Sequence, residues 1–228
     1  MPVVLRHHGC VPDRVLRDAL SIGVATGVYA VSFGVLSVAA GFSVAQTCVM
    51  SLVAFTGASQ FTFVSVMGAG GGVAAALPPA VLLAARNGLY ALSLSSVLHR
   101  GPWRRALDAH LVIDESTAMA HAQRDTADRR RGFLLTALAI FACWNAGTLA
   151  GALAGGVLGD PRAFGMDAIF PAVFLALLVP QVRSRATLRA ALAGAAIATL
   201  LLPIAPVGVP VMASALAAVP LLRRRPSA

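Results

Sequence analysis

Arg86 stands at the middle of an apolar run, residues 73–98, that carries no other charge. A guanidinium halfway through a bilayer costs at least ~2.5 kcal/mol even on the mildest insertion scale, so it needs a carboxylate, backbone carbonyls or a watery cavity around it. Its planar fork of donors suits a carboxylate. Two readings follow, and they can coexist. In one, Arg86 belongs to a buried ion pair that fixes helix register. In the other, Arg86 seats the carboxylate of a substrate, with the adjacent Asn87 as a further contact.

The natural counter-charges are Asp114 and Glu115, set between Leu111-Val112-Ile113 and Ala118-Met119-Ala120. On a helix, neighbouring side chains point about 100° apart, so the two carboxylates cannot face one partner. Asp114 aligns with His110, Thr117 and His121 in a narrow polar stripe, whereas Glu115 shares a face with Asp108, Leu111 and Met119. Either Asp114 is the N-cap of a short interfacial helix, or one of the two carboxylates, Asp114 or Glu115, binds a substrate ammonium or carries a coupling proton, Asp114 being preferred for its place on the polar stripe. No catalytic residue, metal site or cofactor is expected. His110, Asp114 and His121 lack a further cluster of ligands, and His7-His8-Gly9-Cys10 reads as a solvated tail.

Gly57-Ala58-Ser59-Gln60 interrupts the apolar segment 44–67. It is either small-residue packing or an unwound stretch whose polar groups coordinate a zwitterion, which makes Gly57, Ser59 and Gln60 candidate substrate contacts. Asn145, in Trp144-Asn145-Ala146-Gly147-Thr148, is interhelical glue or a ligand contact. Gly68-Ala69-Gly70-Gly71-Gly72 is a turn and not a phosphate loop, because no Lys-Ser/Thr pair follows it.

The elements that hold these residues are apolar helices. Of 228 residues 58% are apolar and 12% charged, against about 45–50% and about 25% in a soluble domain. Residues 19–85, 133–159 and 190–222 carry no charge at all, and about 20 apolar residues cross a bilayer as a helix. The expected fold is an all-α polytopic transmembrane bundle of about 6–8 hydrophobic segments, one or two of them broken or re-entrant. The candidate spans are 19–41, 44–67, 73–98, 106–123, 133–158, 165–182 and a hairpin over 190–222 broken by Pro203, Pro206, Gly208 and Pro210. Gly23, Gly27, Gly34 and Gly41, and then Gly147, Gly151, Gly155 and Gly159, form ridges suited to close helix contact. The first apolar run is too long for a signal-peptide core and has no Ala-x-Ala site after it, so it is expected to stay as a span.

The net charge of +9 comes from arginines clustered between apolar runs, the layout of cytoplasmic loops and not of a nucleic-acid surface. The domain reading is a basic cytoplasmic segment over 1–18, one transport domain over 19–222 with a cytoplasmic linker at about 124–132, and a basic tail over 223–228. Two full spans between residues 18 and 68 would put the basic N-terminus outside. A re-entrant 44–67 keeps it inside, since non-helical backbone is tolerated at membrane depth where it lines a cavity; an external N-terminus is the alternative. No internal repeat is legible. Cys48 and Cys143 lie in apolar runs and, with Cys10, lack motif spacing, so all three read as packing residues.

Taken in order, Phe55-Thr56-Gly57-Ala58-Ser59-Gln60-Phe61, Arg86-Asn87-Gly88-Leu89-Tyr90, Asp114-Glu115-Ser116, Trp144-Asn145 and Asp167 before Phe174–Leu178 resemble the AzlC family of branched-chain amino acid permeases. The resemblance runs from about 19 to 222. It implies a bacterial cytoplasmic-membrane exporter of branched-chain or other small neutral amino acids, working with a small hydrophobic AzlD-like subunit. The chain departs from the family pattern at Ala84, where Asn is frequent, and at Ile113, where Thr is frequent. The residues themselves agree with a carrier for a small zwitterion. An intramembrane enzyme using Asp114 or His110, and a non-transporting assembly subunit, are the alternatives. The arginine distribution predicts that both termini and residues 124–131 are cytoplasmic. Single cysteines at 125 and 226, on a background without Cys10, Cys48 and Cys143, are expected to resist an impermeant thiol reagent added to intact cells; labelling of either overturns this topology.

Overall fold

The computed structural model describes residues 11–158 and 182–222, together with 175, 178 and 179. Among these the chain is helical throughout, with no strand. The helices are α1 (Val11–Ala39), α2 (Val44–Val53), α3 (Ala58–Gly68), α4 (Val73–Ser93), α5 (Pro102–His110), α6 (Asp114–His121), α7 (Thr126–Leu158), α8 (Arg185–Leu201) and α9 (Val209–Ser214), the last continuing through a 3-10 turn to Leu222. Within α1 and α7, Arg14–Ala39 and Thr126–Val157 are long and apolar enough to cross a bilayer, and Val44–Val53 and Val209–Ala218 are shorter apolar helices. The expected span at 165–182 lies almost wholly outside the described residues, as do Gly159 and the tails.

Several boundaries differ from expectation. α1 starts at Val11, inside the stretch read as a basic tail, and α7 starts at Thr126, inside the stretch read as a linker. In both cases the arginines extend an amphipathic helix end beyond the apolar stretch, as snorkelling side chains allow. α4 ends at Ser93 and gives way to tight turns before residue 98.

The central pair is α1 against α7. Gly23 lies beside Ala139, Gly27 beside Cys143, Gly34 beside Thr148 and Ala152, and Gly155 beside Val35. Sequence numbers rise together, so the two helices run parallel and start at one end of the bundle. That end is basic, with Arg14, Arg17, Arg129, Arg130 and Arg131 on it; the described residues at the opposite end carry no charge, and it is called the neutral end below. The glycines permit the contact: a Cβ on Gly147 would collide with the Gly27 carbonyl, and one on Gly151 with the Val31 carbonyl. Gly41 is not on this ridge; it has φ +95° and makes the turn after α1.

The segment after α1 forms a hairpin. Thr47 Oγ1 donates to Ser37 Oγ at 3.0 Å, Ser51 pairs with Thr148 at 3.2 Å, and Phe55 meets Phe141 at 5.0 Å. α2 therefore runs from the neutral end to mid-depth. Its 10 residues span about 15 Å, half of a ~30 Å hydrocarbon core. Residues 54–57 break the helix, and α3 returns: Phe61 packs on Tyr29 and Phe33, Phe63 on Phe42, and Gly68 reaches Ala40. α4 then runs to the basic end, where Leu94 shares a cluster with Phe133.

The same plan recurs upside down. α5 leaves the basic end and carries His110 to Phe55 and Phe141 at mid-depth; residues 111–113 break the chain, and α6 returns until His121 reaches Ser93 and Arg129. α7 follows, as α4 followed the first hairpin. A hairpin and a long helix thus occur twice with opposite direction, over 44–93 and 102–158. α8 and α9 form a further antiparallel pair, Gly194 against Ser214, whose turn at Val207–Gly208 packs on Gly71 and Ala75 at the neutral end.

Polar and apolar residues are disposed inversely to a protein in water. Ser37, Thr47, Ser51, Gln60, Thr136 and Thr148 are buried, while Val24, Val28, Val81, Leu89 and Leu153 are exposed. Gly151→Val should force α1 from α7, an overpacking worth about 1–3 kcal/mol or more, and lower the melting temperature of the detergent-solubilised protein by several degrees. Gly156→Val, with open space at its Cβ position, is the matched control; equal melting of the two variants would contradict the packing.

Candidate functional site

The breaks of both hairpins and the middle of α4 meet in one cavity between α1 and α7. It is lined by Thr26 and Tyr29 of α1, Phe55 to Ala58 of the first break, Arg86 of α4, Ile113 to Glu115 of the second break, and Ile140 and Trp144 of α7. Its volume is about 60 Å³. That accommodates water but lies well below the roughly 300 Å³ of a small-molecule pocket. A ligand much larger than water would therefore require the hairpins to separate.

Each break is stitched by the residue three positions on. Gly57, at φ +65°, donates its N–H to Gln60 Oε1 at 3.2 Å, and Gln60 Nε2 donates to the Met50 carbonyl at 3.2 Å. Ile113 donates its N–H to Ser116 Oγ at 3.0 Å, and Ser116 donates onward to the Leu111 and Ile113 carbonyls. Broken backbone at this depth has no water to satisfy it, and these side chains take that place. The unwound stretch is thus 54–57, with Ala58, Ser59 and Gln60 already in the first turn of α3.

Arg86 Nη1 contacts Asp114 Oδ2 at 2.9 Å, with both side chains about 30% exposed and open to the cavity. Asp114 is the first residue of α6 and Ile113 is the N-cap, so the cap reading of Asp114 moves by one position. Glu115 lines the same cavity. The polar stripe loses His110, because residues 111–113 interrupt the helix between His110 and Asp114, while Asp114, Thr117 and His121 stay together on α6. His110 packs instead on Phe55 and Phe141, and His121 contacts Ser93 and Arg129 near the basic end. No group of three potential metal ligands occurs among the described residues.

Of the candidate contacts, the structure brings Arg86, Gly57, Asp114 and Glu115 to the cavity. Gln60 is occupied in stitching the break. Ser59 bonds to Thr56 and, with Gln60 and Ala84, lines a separate apolar cleft of about 330 Å³ between the first hairpin and α4. Asn87 lies outside both linings. Asn145 Nδ2 donates to the Phe141 carbonyl of its own helix at 2.8 Å, so that amide nitrogen bridges no helices. Tyr29 and Trp144 line the cavity; Trp144 stands in the sequence only as part of the Trp144-Asn145 resemblance, and Tyr29 is not singled out at all. They lie in apolar runs, and only their packing on Phe33 and Phe61 brings them to the breaks. Tyr29 Oη, Trp144 Nε1 and Asp114 Oδ1 are buried without a hydrogen-bond partner.

A second network ties the first arm of the second hairpin to α7. Asp108 accepts from the His99 N–H at 2.8 Å and from Arg130 Nη1 at 3.2 Å, and Arg130 Nη1 also donates to the Val97 carbonyl at 2.6 Å.

Comparison with known proteins places this geometry in context. The AzlC protein family matches residues 21–158. An uncharacterized membrane protein of Helicobacter pylori (strain 26695) is 27% identical over 66% of each chain. One of Archaeoglobus fulgidus is 32% identical over 74% of each. The inner membrane protein YgaZ of Escherichia coli is 29% identical over 78% of this chain and 77% of its own. No solved structure matches.

The ion pair is testable by a double-mutant cycle on Arg86→Gln and Asp114→Asn. Each single change leaves an unanswered charge at mid-depth, so each should lower the melting temperature, while the double change should recover part of the loss. Coupling of about 0.5–3 kcal/mol is the expected range for groups in contact; strictly additive losses would show that the pair contributes nothing.

Proposed function

Since the chain belongs to the AzlC family of membrane proteins, a family of branched-chain amino acid transport, we propose that it is a secondary transporter that exports small neutral amino acids, branched-chain ones among them. The observation that carries this reading is the cavity where two half-length hairpins, entering from opposite ends, meet an Arg86–Asp114 pair with Glu115 beside it. Balanced charges at a helix break suit a zwitterion, and sites of this kind at the midplane between inverted repeats are a recurring transporter design.

In this reading the protein sits in the bacterial cytoplasmic membrane. The parallel course of α1 and α7 supports a common side for the N-terminal arginines and residues 124–131, which the positive-inside rule makes cytoplasmic. α1, α4, α7, the span expected from the sequence over 165–182, α8 and α9 cross, which returns the C-terminus to the cytoplasmic side, and the 44–68 and 102–121 hairpins are re-entrant from the outer and inner faces. The pseudo-two-fold relation supplies alternating access: parting the first hairpin opens the cavity outward, and parting the second opens it to the cytoplasm. A small AzlD-like subunit is the expected partner. Transport runs on a proton or substrate gradient, and Asp114 carries the coupling proton while Arg86 answers its charge. The polar relay through His110 and His121 that the sequence suggests has no part in this, since His110 faces an aromatic pair.

Cells expressing the chain with an AzlD-like subunit should release preloaded labelled leucine or valine faster than cells lacking either protein; unchanged release for every neutral amino acid would end this reading. In proteoliposomes, Asp114→Asn is expected to lose proton-driven net efflux and keep part of the exchange of labelled for unlabelled substrate. Unaltered net efflux would return Asp114 to a purely structural role.

A further inference from the structure

Resting on the carrier reading, we propose that the substrate carboxylate is held at the N-terminus of α3 by the backbone amide of Ala58, the Tyr29 hydroxyl and the Trp144 indole N–H, and not by Arg86. The ammonium group lies across the cavity against Asp114 and Glu115.

The two breaks present two helix N-termini to one cavity, α3 at Gly57–Ala58 and α6 at Ile113–Glu115. Each such end carries a partial positive charge of about half a unit. They are not chemically equivalent. The first turn of α6 holds Asp114 and Glu115, which neutralise its own dipole; the first turn of α3 holds no acidic residue. Around α3 the Gly57 amide is taken by Gln60, and the Gln60 amide turns back to the Gly57 carbonyl, while those of Ala58 and Ser59 pair with nothing among the described residues.

A second, independent observation points to an anion at the same place. The Trp144 side chain is 4% exposed, lines the cavity and leaves its only polar hydrogen, on Nε1, without a partner. A buried indole N–H ordinarily finds an acceptor. Tyr29 Oη, on the neighbouring ring at a centroid distance of 5.6 Å, is buried and unpartnered too. Both groups can donate to a carboxylate. On the other wall, Arg86 is already engaged by Asp114 Oδ2, while Asp114 Oδ1 is buried near the Tyr90 hydroxyl and Glu115 lines the cavity beside it. The cavity therefore has a donor pole at α3, Tyr29 and Trp144, and an acceptor pole at α6. A zwitterion fits it in one orientation.

The chain has two tryptophans, and Trp103 is 85% exposed. Trp103→Phe thus leaves Trp144 as a single fluorescent reporter inside the cavity. Full-length protein on this background is titrated with L-leucine and with 3-methylbutylamine, which is leucine without its carboxyl group. Ala58→Asp puts a carboxylate at the first position of α3, mirroring Asp114 on α6, where a helix favours negative charge. It is expected to weaken leucine binding at least tenfold while keeping or strengthening amine binding. Tyr29→Phe should weaken leucine several-fold and leave the amine unchanged. Leucine affinity preserved in both variants overturns the assignment, as does a selective loss of leucine in Arg86→Gln with none in Ala58→Asp. Should Ala58→Asp fail to fold, Tyr29→Phe, which removes one oxygen, decides alone. A parent protein that responds to no neutral amino acid brings down the carrier reading and this seat with it, an outcome distinct from leucine binding that the variants do not touch.

Discussion

Halfway through an apolar bundle there is no water to answer a charge or a broken peptide chain, and everything around Arg86 follows from that. The guanidinium is met by Asp114 at 2.9 Å. Asp114 can be there only because the helix that would carry it stops at residues 111–113, which turns the chain back at mid-depth. The break exposes backbone groups, and Ser116 satisfies them. The opposing break is satisfied by Gln60, which accepts from Gly57 and donates to Met50 across the gap. Removing one of these supports exposes a charge or an amide where exposure costs most.

The support extends outward through packing. A 10-residue helix and an 8-residue helix are too short to be stable alone, so the hairpins depend on a rigid wall. α1 and α7 provide it. Their glycine ridges let the backbones touch, and the van der Waals attraction between them replaces the hydrophobic drive that lipid does not offer. Onto that wall the aromatic cluster of Tyr29, Phe33, Phe61 and Trp144 fixes the first break. The Asp108–His99–Arg130 network fixes the first arm of the second hairpin.

The two hairpin-plus-helix units are related in shape and not in chemistry. Gly57 and Gln60 correspond in role to Ile113 and Ser116, yet α6 opens with two carboxylates and α3 with Ala-Ser. For the proposed carrier, a duplicated scaffold with unlike tips suits a polar, oriented ligand: the symmetry would give two equivalent ways of opening the cavity, and the unlike tips would give it two poles. Ala84 and Ile113, where the chain departs from the family's frequent residues, line the apolar cleft and the cavity respectively. Both departures therefore bear on the surroundings of the site.

The sequence by itself determined the solvent of the protein, its helical class and the charges that had to meet. Charge-free runs and clustered arginines are one-dimensional quantities, and a lone Arg86 in such a run demands a partner whose only nearby source is the Asp114–Glu115 pair. Glycine spacing likewise announced a close helix contact. Tertiary structure alone decided which carboxylate answers Arg86, that α1 and α7 run parallel, and that His110 leaves the Asp114 stripe. It also decided that Gln60 and Asn145 spend their amides on backbone carbonyls, and that Tyr29 and Trp144 edge the cavity. The inverted pair of hairpins was invisible for the same reason. Hydropathy reports how apolar a segment is but not where it turns. A turn at mid-depth is set by side chain to backbone bonds and by contacts between residues as distant as Phe55 and Phe141, which leave no local period in the sequence.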